Sequence, residues 1–273
     1  MAYFKTSDGL QLYYTDAGAG TPVLCLAGLT RNSRDFDYVA PALDGFRVIT
    51  MDYRGRGKSD RAPHDTYAVP IEARDATELL DHLGLPAAAI LGTSRGGLIA
   101  MVLAAATNDR LLGVCLNDIG PDLAPGGIEA IKTYLGRNPP QKTYAEAAGM
   151  RAAMMQGFCG VPESRWSEEV RKNYLETPRG LVVNYDPALR EAVLEAGAQP
   201  APDLWPLFDA LEGLPLALIR GANSNLLTEA TTAEMRRRRP DMIYANVPDR
   251  GHAPFLDEPA ALEAIRQWLE RLP

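Results

Sequence analysis

The sequence predicts an α/β fold in which helices flank a mostly parallel central sheet, with an all-helical insertion. Short, continuous apolar runs alternate with segments whose apolar residues recur at helical spacing. Continuous apolar runs are typical of strands buried on both faces, and their alternation with helices indicates parallel strands joined by right-handed crossovers. The alternation stops near residue 120 and resumes after residue 200, and the residues between them show only helical patterns.

Seven segments have the pattern of strands. "LQLYYTDAG" alternates apolar and polar residues and then breaks at glycines, which is typical of a strand that leaves a hairpin. The buried strands are predicted at "PVLCLAG", "FRVITMD", "AAAILG" and "LLGVCLND", and later at "PLALIRG" and "MIYANV".

The remaining periodic segments are predicted helices. Four belong to the alternating part: "VPIEARDATELLDHLGL", "SRGGLIAMVLAAAT", a segment from Thr228, and "PAALEAIRQWLERL". Four more fill the insertion: "GIEAIKTYLG", "YAEAAGMRAAMMQGF", "SEEVRKNYLE" and "PALREAVLEAG". We therefore predict a core formed by residues 1–120 and 201–273, and a helical cap over residues 121–200.

Composition and charge restrict the class of partner. The chain has 273 residues and a formal net charge of -7, which argues against nucleic acid or an anionic membrane as the main partner. Cys25, Cys115 and Cys159 lie far apart, so we expect reduced thiols in a cytoplasmic protein. The N-terminus lacks the pattern of a signal peptide. We expect a small-molecule partner and no metal or cofactor, and a homodimer is left open.

The segment "AAAILGTSRGG" carries a candidate nucleophile. Gly92, Ser94 and Gly96 fit the pattern G-x-S-x-G between a predicted strand and a predicted helix, which is the context that this motif requires. The sharp turn places Ser94 at a helix N-terminus, where the helix dipole favours a developing anion. The amide of Arg95 and an amide in the loop after "PVLCLAG", at Leu29, are the predicted oxyanion donors.

A serine nucleophile needs a base, and histidine is the usual one near neutral pH. His64 lies in a polar loop, and His82 lies inside a helical pattern. His252 lies in the loop between the last strand and the last helix, at the same sheet edge as Ser94. We therefore predict that His252 is the base.

Several segments together resemble the α/β-hydrolase family, in family order and nearly from end to end. These segments are "LAGLTRNSRDF", "DYRGRGKSD", "GTSRGG", "LNDIGP" and "RGHAPFLDEP". The chain has Ala27-Gly28 where many members have His-Gly, a histidine that is usually structural. The resemblance implies a hydrolase, but the family is too broad to name a substrate.

The identity of the acid is open. Family members commonly carry aspartate at the position of Asn225, where it orients the histidine, but this chain reads "SNLL" there. An amide cannot stabilise the imidazolium that forms during catalysis. Asp118, which ends a strand at the same sheet edge, resembles the acid of certain dehalogenases and lactonases in the family. We predict Asp118 as the acid, with Asn225 as the alternative position and an Asx turn as the structural explanation of Asp118.

The predicted cap supplies candidate substrate-binding residues: Met154, Met155, Phe158 and Trp166. These residues also fit ordinary packing. We expect a serine hydrolase that cleaves a small, partly apolar carboxylic ester or lactone through an acyl-enzyme. The alternatives are a catalytically weakened binding or receptor protein on the same scaffold, and a C–C hydrolase or perhydrolase that uses the same residues.

Overall fold

The computed structural model describes residues 2–155 and 157–273, and its centre is an eight-stranded sheet. The strands of this sheet are β1 (Ala2–Lys5), β2 (Gln11–Ala17), β3 (Pro22–Leu26), β4 (Arg47–Met51), β5 (Ala88–Thr93), β6 (Leu111–Asn117), β9 (Leu216–Gly221) and β10 (Ile243–Val247). Two further strands, β7 (Tyr174–Thr177) and β8 (Gly180–Val183), form a separate sheet. The order across the large sheet is β1-β2-β4-β3-β5-β6-β9-β10. The pairs of β2 with β1 and β4 are antiparallel, and the others are parallel. The predicted mostly parallel sheet is confirmed.

Helices flank this sheet, as predicted. They are α1 (Val69–His82), α2 (Arg95–Thr107), α3 (Pro125–Tyr134), α4 (Tyr144–Met154), α5 (Glu163–Asn173), α6 (Leu189–Gly197), α7 (Trp205–Asp209), α8 (Glu229–Arg238) and α9 (Pro259–Leu269). In the described part of the chain, none of them has the length and apolar character needed to cross a bilayer.

The continuous apolar runs arise because alternate residues of each strand enter different apolar layers. On β9, Leu218 packs in the layer that contains α1 and α2, whereas Ala217 and Ile219 pack in the layer that contains α9. Side chains on a strand point alternately to opposite faces, so a strand covered on both faces needs apolar residues at every position. The same alternation holds on β3 and β5.

The inserted segment, residues 121–200, leaves the core after β6 and returns before β9. It contains α3 to α6, but the prediction that it contains only helices is wrong, because β7 and β8 form an antiparallel hairpin. The predicted helix over residues 167–176 ends at Asn173 for this reason. Leu181 and Val183 are buried in alternation, and Gly180, at φ +116°, adopts a turn conformation that favours glycine.

The predicted helix over residues 144–158 ends at Met154, and Gln156 lies outside the described residues. Beyond this point the inserted segment packs on loops at the carboxyl ends of β9 and β10. The backbone amide of Cys159 donates to the carbonyl of Asp249 at 3.1 Å, and the Asn223 side chain donates to the carbonyl of Gly157 at 2.9 Å. The assignment of residues 121–200 as a separate cap domain stays a prediction.

Candidate active site

Ser94 lies at the tip of the turn between β5 and α2. Its φ is 51°, a left-handed value that is uncommon for a residue other than glycine. A Cβ on Gly92 would lie 2.6 Å from the backbone of Gly96, and one on Gly96 would lie 2.0 Å from the carbonyl oxygen of Leu26. The two glycines are therefore required by close backbone approach, and together they let Ser94 stand at the N-terminus of α2.

His252 bridges Ser94 and Asp118. Its Nε2 is 2.9 Å from Ser94 Oγ, and its Nδ1 is 2.7 Å from Asp118 Oδ2. The other two histidines lie elsewhere: His82 contacts the hydroxyl of Tyr14, and His64 faces two carboxylates of α6. The structure thus places the predicted base between the predicted nucleophile and one of the two candidate acids.

Asp118, directly after β6, is fully buried and accepts three hydrogen bonds. Its Oδ1 accepts from the backbone amide of Gly221 at 2.8 Å, and its Oδ2 accepts from Ser224 Oγ at 2.6 Å as well as from His252. Asn225 is exposed, and its side chain forms no hydrogen bond with a described residue. The structure therefore brings Asp118 to the histidine and leaves the alternative position in solvent.

Ser224 is a residue that the sequence interpretation missed. Besides donating to Asp118, its hydroxyl oxygen accepts from the backbone amides of Leu226 at 3.3 Å and Leu227 at 3.1 Å. A hydroxyl has one proton and two acceptor sites, so these two amides direct the proton towards the carboxylate. The available signal was the "SNLL" turn itself, in which Ser224 precedes Asn225.

The two predicted oxyanion donors lie beside Ser94 with unused amide hydrogens. Within residues 2–155 and 157–273, neither the Leu29 nor the Arg95 backbone amide has a hydrogen-bond acceptor. A Cβ on Gly28 would lie 3.9 Å from Ser94 Cβ, so this loop runs next to the nucleophile. The Gly28 carbonyl accepts from the Arg31 amide at 3.0 Å, which directs the Leu29 N–H of the same planar peptide to the opposite side.

A buried ion cluster joins the loop that carries the Leu29 amide to the N-terminus of α2, which carries the Arg95 amide. Glu72 on α1 accepts from Arg95 Nε at 2.6 Å and pairs with an Arg56 Nη at 2.9 Å. Arg56 Nε in turn donates to the carbonyl of Leu29 at 3.0 Å. Burial alone would raise the pKa of Glu72, but the two arginines outweigh it and lower that pKa. Glu72, which the sequence interpretation also missed, therefore remains charged and ties the loop and the helix N-terminus together.

The four predicted substrate-binding residues differ in position. Trp166 is 4% exposed and packs inside the inserted segment, which leaves little of its surface for a ligand. Phe158 contacts both Trp166 and Phe255, at 5.8 and 5.4 Å between ring centroids, and Met155 packs on the same cluster. Met154 is 68% exposed. Three of the four thus contribute to an apolar cluster on the loop that follows His252, and Met154 does not.

Comparisons with known proteins agree with this architecture. The family model described as alpha/beta hydrolase fold matches residues 21–259. A 3-hydroxybutyrate-oligomer hydrolase of Cupriavidus necator is 37% identical over 257 residues, covering 90% of this chain and 87% of the relative. An esterase of Mycobacterium tuberculosis is 27% identical over 93% of this chain and 84% of the relative.

A solved structure covers the whole chain. The crystal structure of an alpha/beta hydrolase from Novosphingobium aromaticivorans superposes with a TM-score of 0.91 and 36% identity, and it covers 100% of both chains. The serine turn, the sheet order and these matches lead to one conclusion: the chain belongs to the α/β-hydrolase family.

Proposed function

We propose that the protein is a serine hydrolase that cleaves small, partly apolar carboxylic esters or lactones through an acyl-enzyme. The observation that carries this proposal is the chain of hydrogen bonds from Ser94 Oγ through His252 to Asp118. The similarity to a 3-hydroxybutyrate-oligomer hydrolase supports ester chemistry and makes short hydroxyacid esters the first substrates to test.

The arrangement accounts for each step of acyl transfer. Ser94 attacks the carbonyl carbon while His252 Nε2 takes its proton, and Asp118 stabilises the imidazolium that results. The Leu29 and Arg95 amides face the oxygen on which negative charge develops. His252 then protonates the leaving alcohol, the acyl group stays on Ser94, and water activated by His252 releases it as the acid.

A serine nucleophile favours acyl substrates over alkyl ones. Attack by Ser94 on a saturated carbon would leave an ether on the enzyme, and the same residues have no means to cleave it with water. An acyl ester on Ser94 is instead cleaved by the reverse of the step that formed it.

The geometry bears differently on the two alternative functions, a binding or receptor protein and a C–C hydrolase or perhydrolase. The weakened binding or receptor protein depended on an amide at the acid position, and that reason is removed by the contact of Asp118 with His252. A C–C hydrolase or a perhydrolase would use the same residues, so product analysis has to separate them from an esterase.

The test is covalent labelling by a fluorophosphonate followed by intact-mass measurement. We expect one adduct on the wild-type chain, none on Ser94→Ala, and an unchanged adduct on the control Ser7→Ala, which alters an exposed serine. A folded wild-type chain that is not labelled overturns the proposal. Product analysis with short acyl esters, lactones and the linear 3-hydroxybutyrate dimer then identifies the reaction.

A further inference from the structure

A charged cluster extends from the nucleophile to the inserted segment. Arg31 donates from Nε to both carboxylate oxygens of Asp35, at 2.9 and 2.7 Å, and from an Nη to Glu169 on α5. A Cβ on Gly28 would lie 3.2 Å from Arg31 Cγ and 3.9 Å from Ser94 Cβ. The cluster therefore begins beside Ser94 and continues beneath α5.

Arg151, on α4, faces this cluster without a partner. Its Nε is enclosed by protein and has no hydrogen-bond acceptor, and its guanidinium makes no hydrogen bond or ion pair with any described residue. Every other arginine that is not exposed, within the described ranges, makes at least one hydrogen bond. A buried guanidinium N–H without an acceptor is unfavourable, so Nε of Arg151 is a donor that an anionic ligand could use.

The direction of the pKa shift of Arg151 is consistent with an unpartnered guanidinium. Desolvation and the positive charge of Arg31 lower the pKa of Arg151, and the opposing effect of Glu169 does not cancel them. The carboxylate of Glu169 is already engaged by Arg31. Desolvation is the largest of these effects, so an anion that bound the guanidinium would offset mainly the cost of its burial.

Two tyrosines also lie near Arg151. Tyr134, at the end of α3, keeps 51% of its surface accessible, yet desolvation raises its pKa. Tyr134 and Tyr174 both interact electrostatically with Arg151, so phenolic groups stand near the guanidinium.

We propose that Arg151 forms a carboxylate-binding subsite, and that the substrate carries a free carboxylate a few bonds from the ester cleaved at Ser94. A guanidinium binds a carboxylate with two parallel hydrogen bonds, and the unused Nε and an Nη of Arg151 provide that pair of donors. The linear 3-hydroxybutyrate dimer has this form, since one ester oxygen and two carbons separate its scissile carbonyl from its carboxylate. The inference rests on the proposed esterase function.

The kinetic test compares the linear 3-hydroxybutyrate dimer as the free acid with its methyl ester. We expect the wild type to prefer the acid. Arg151→Gln should lose about 10- to 100-fold in kcat/KM on the acid, because its KM rises. This is the range for the loss of a charge-assisted hydrogen bond. Activity of Arg151→Gln on the methyl ester should not change. Arg171→Gln, which removes an exposed arginine from α5, is the matched control and should change neither activity. Equal losses on both substrates, or no wild-type preference, overturn the subsite.

A binding measurement separates this inference from the proposed function. Titration calorimetry with Ser94→Ala should show binding of the free acid, and the Ser94→Ala, Arg151→Gln double variant should lose it. This loss without any turnover by the wild type retains the subsite and rejects the esterase. Turnover by the wild type, with acid binding unaffected by Arg151→Gln, retains the esterase and rejects the subsite.

Stability provides a readout that a merely structural arginine would not give. Because Arg151 is an unpaired cation next to Arg31, Arg151→Gln should melt at the same temperature as the wild type or higher. If that variant melts lower, Arg151 has a structural role and the subsite is contradicted. Arg151→Lys keeps the charge without the planar fork, and it should show an intermediate preference for the acid.

Discussion

Replacing Asp118 with asparagine should nearly abolish turnover while preserving size and shape. The carboxylate is fully buried, Oδ1 accepts from Gly221, and Oδ2 accepts from Ser224 and His252. An asparagine has one oxygen for these three donors, so its NH₂ must face either the Gly221 amide or the position of His252 Nδ1. In the second orientation Nδ1 becomes the acceptor, Nε2 carries the ring hydrogen, and the ring cannot take the proton of Ser94.

The size of the effect follows from the lost charge and the altered tautomer. In a serine protease the same replacement at the triad aspartate lowers kcat by about 10⁴-fold. Because Asp118 makes the equivalent contact at 2.7 Å, we expect a loss of the same order in kcat on a short acyl ester, with a much smaller change in KM.

The matched variant is Asn225→Asp, which adds a carboxylate at the alternative acid position. Asn225 is exposed and does not contact His252, so kcat should stay within about twofold of the wild type, as expected for a surface substitution. The Asp118→Asn, Asn225→Asp double variant should be as inactive as Asp118→Asn alone. Substantial kcat in Asp118→Asn, or recovery of turnover in the double variant, would refute the assignment of the acid.

Three further outcomes are expected. Ser224→Ala removes one hydrogen bond to Asp118 and should lower kcat by about tenfold with little change in KM; an unchanged kcat in steady-state assays contradicts a positioning role. Glu72→Gln leaves the buried Arg56 and the partly buried Arg95 without their carboxylate and should lower the free energy of unfolding by about 3 kcal/mol in denaturant titrations. Its control is Glu78→Gln on the same helix, whose partly exposed pair should cost less than about 1 kcal/mol, and equal losses would contradict the argument. Met154→Ala should leave kcat/KM unchanged, because its side chain is largely exposed, and a clear rise in KM would restore it as a substrate-binding residue.

The elements predicted from the sequence are those whose burial leaves a long pattern. β3, β5, β6 and β9 are covered on both faces, so each is an unbroken apolar run that ends where the sheet ends. The missed elements are short: β1, β7 and β8 have four residues each, and α7 has five. So few residues cannot show whether apolar positions recur at a period of two or of 3.6.

Some residues of the site could be predicted from their neighbours in sequence, and others could not. Ser94 could be predicted because the turn that presents it needs glycines at fixed neighbouring positions. Glu72, Ser224 and Arg151 could not, because each gains its significance from groups far away in sequence. Glu72 meets Arg95 across 23 positions, Ser224 meets its carboxylate across 106, and Arg151 is notable only because no described partner is present.

The position of the proposed acid, Asp118, follows from the adjacency of β6 and β9 in the sheet. Asn117 pairs with Ile219, and the next amide along, that of Asp118, donates to the carbonyl of Ile219 at 2.7 Å. The side chain that leaves β6 therefore stands at the beginning of the loop after β9. That loop binds the carboxylate through the Gly221 amide and the Ser224 hydroxyl.

The loop after β9 thus holds the carboxylate that the neighbouring strand supplies, which is the proposed acid. The side chain at position 225 is exposed and forms no hydrogen bond with His252, whose Nδ1 already bonds Asp118. An amide at position 225 therefore removes no contact that the Ser94, His252 and Asp118 arrangement needs. The departure from the family pattern at Asn225 is therefore compatible with an intact set of hydrogen bonds from Ser94 through His252 to Asp118. The informative residue of the "SNLL" turn is Ser224, which donates a hydrogen bond to Asp118 and holds it against His252.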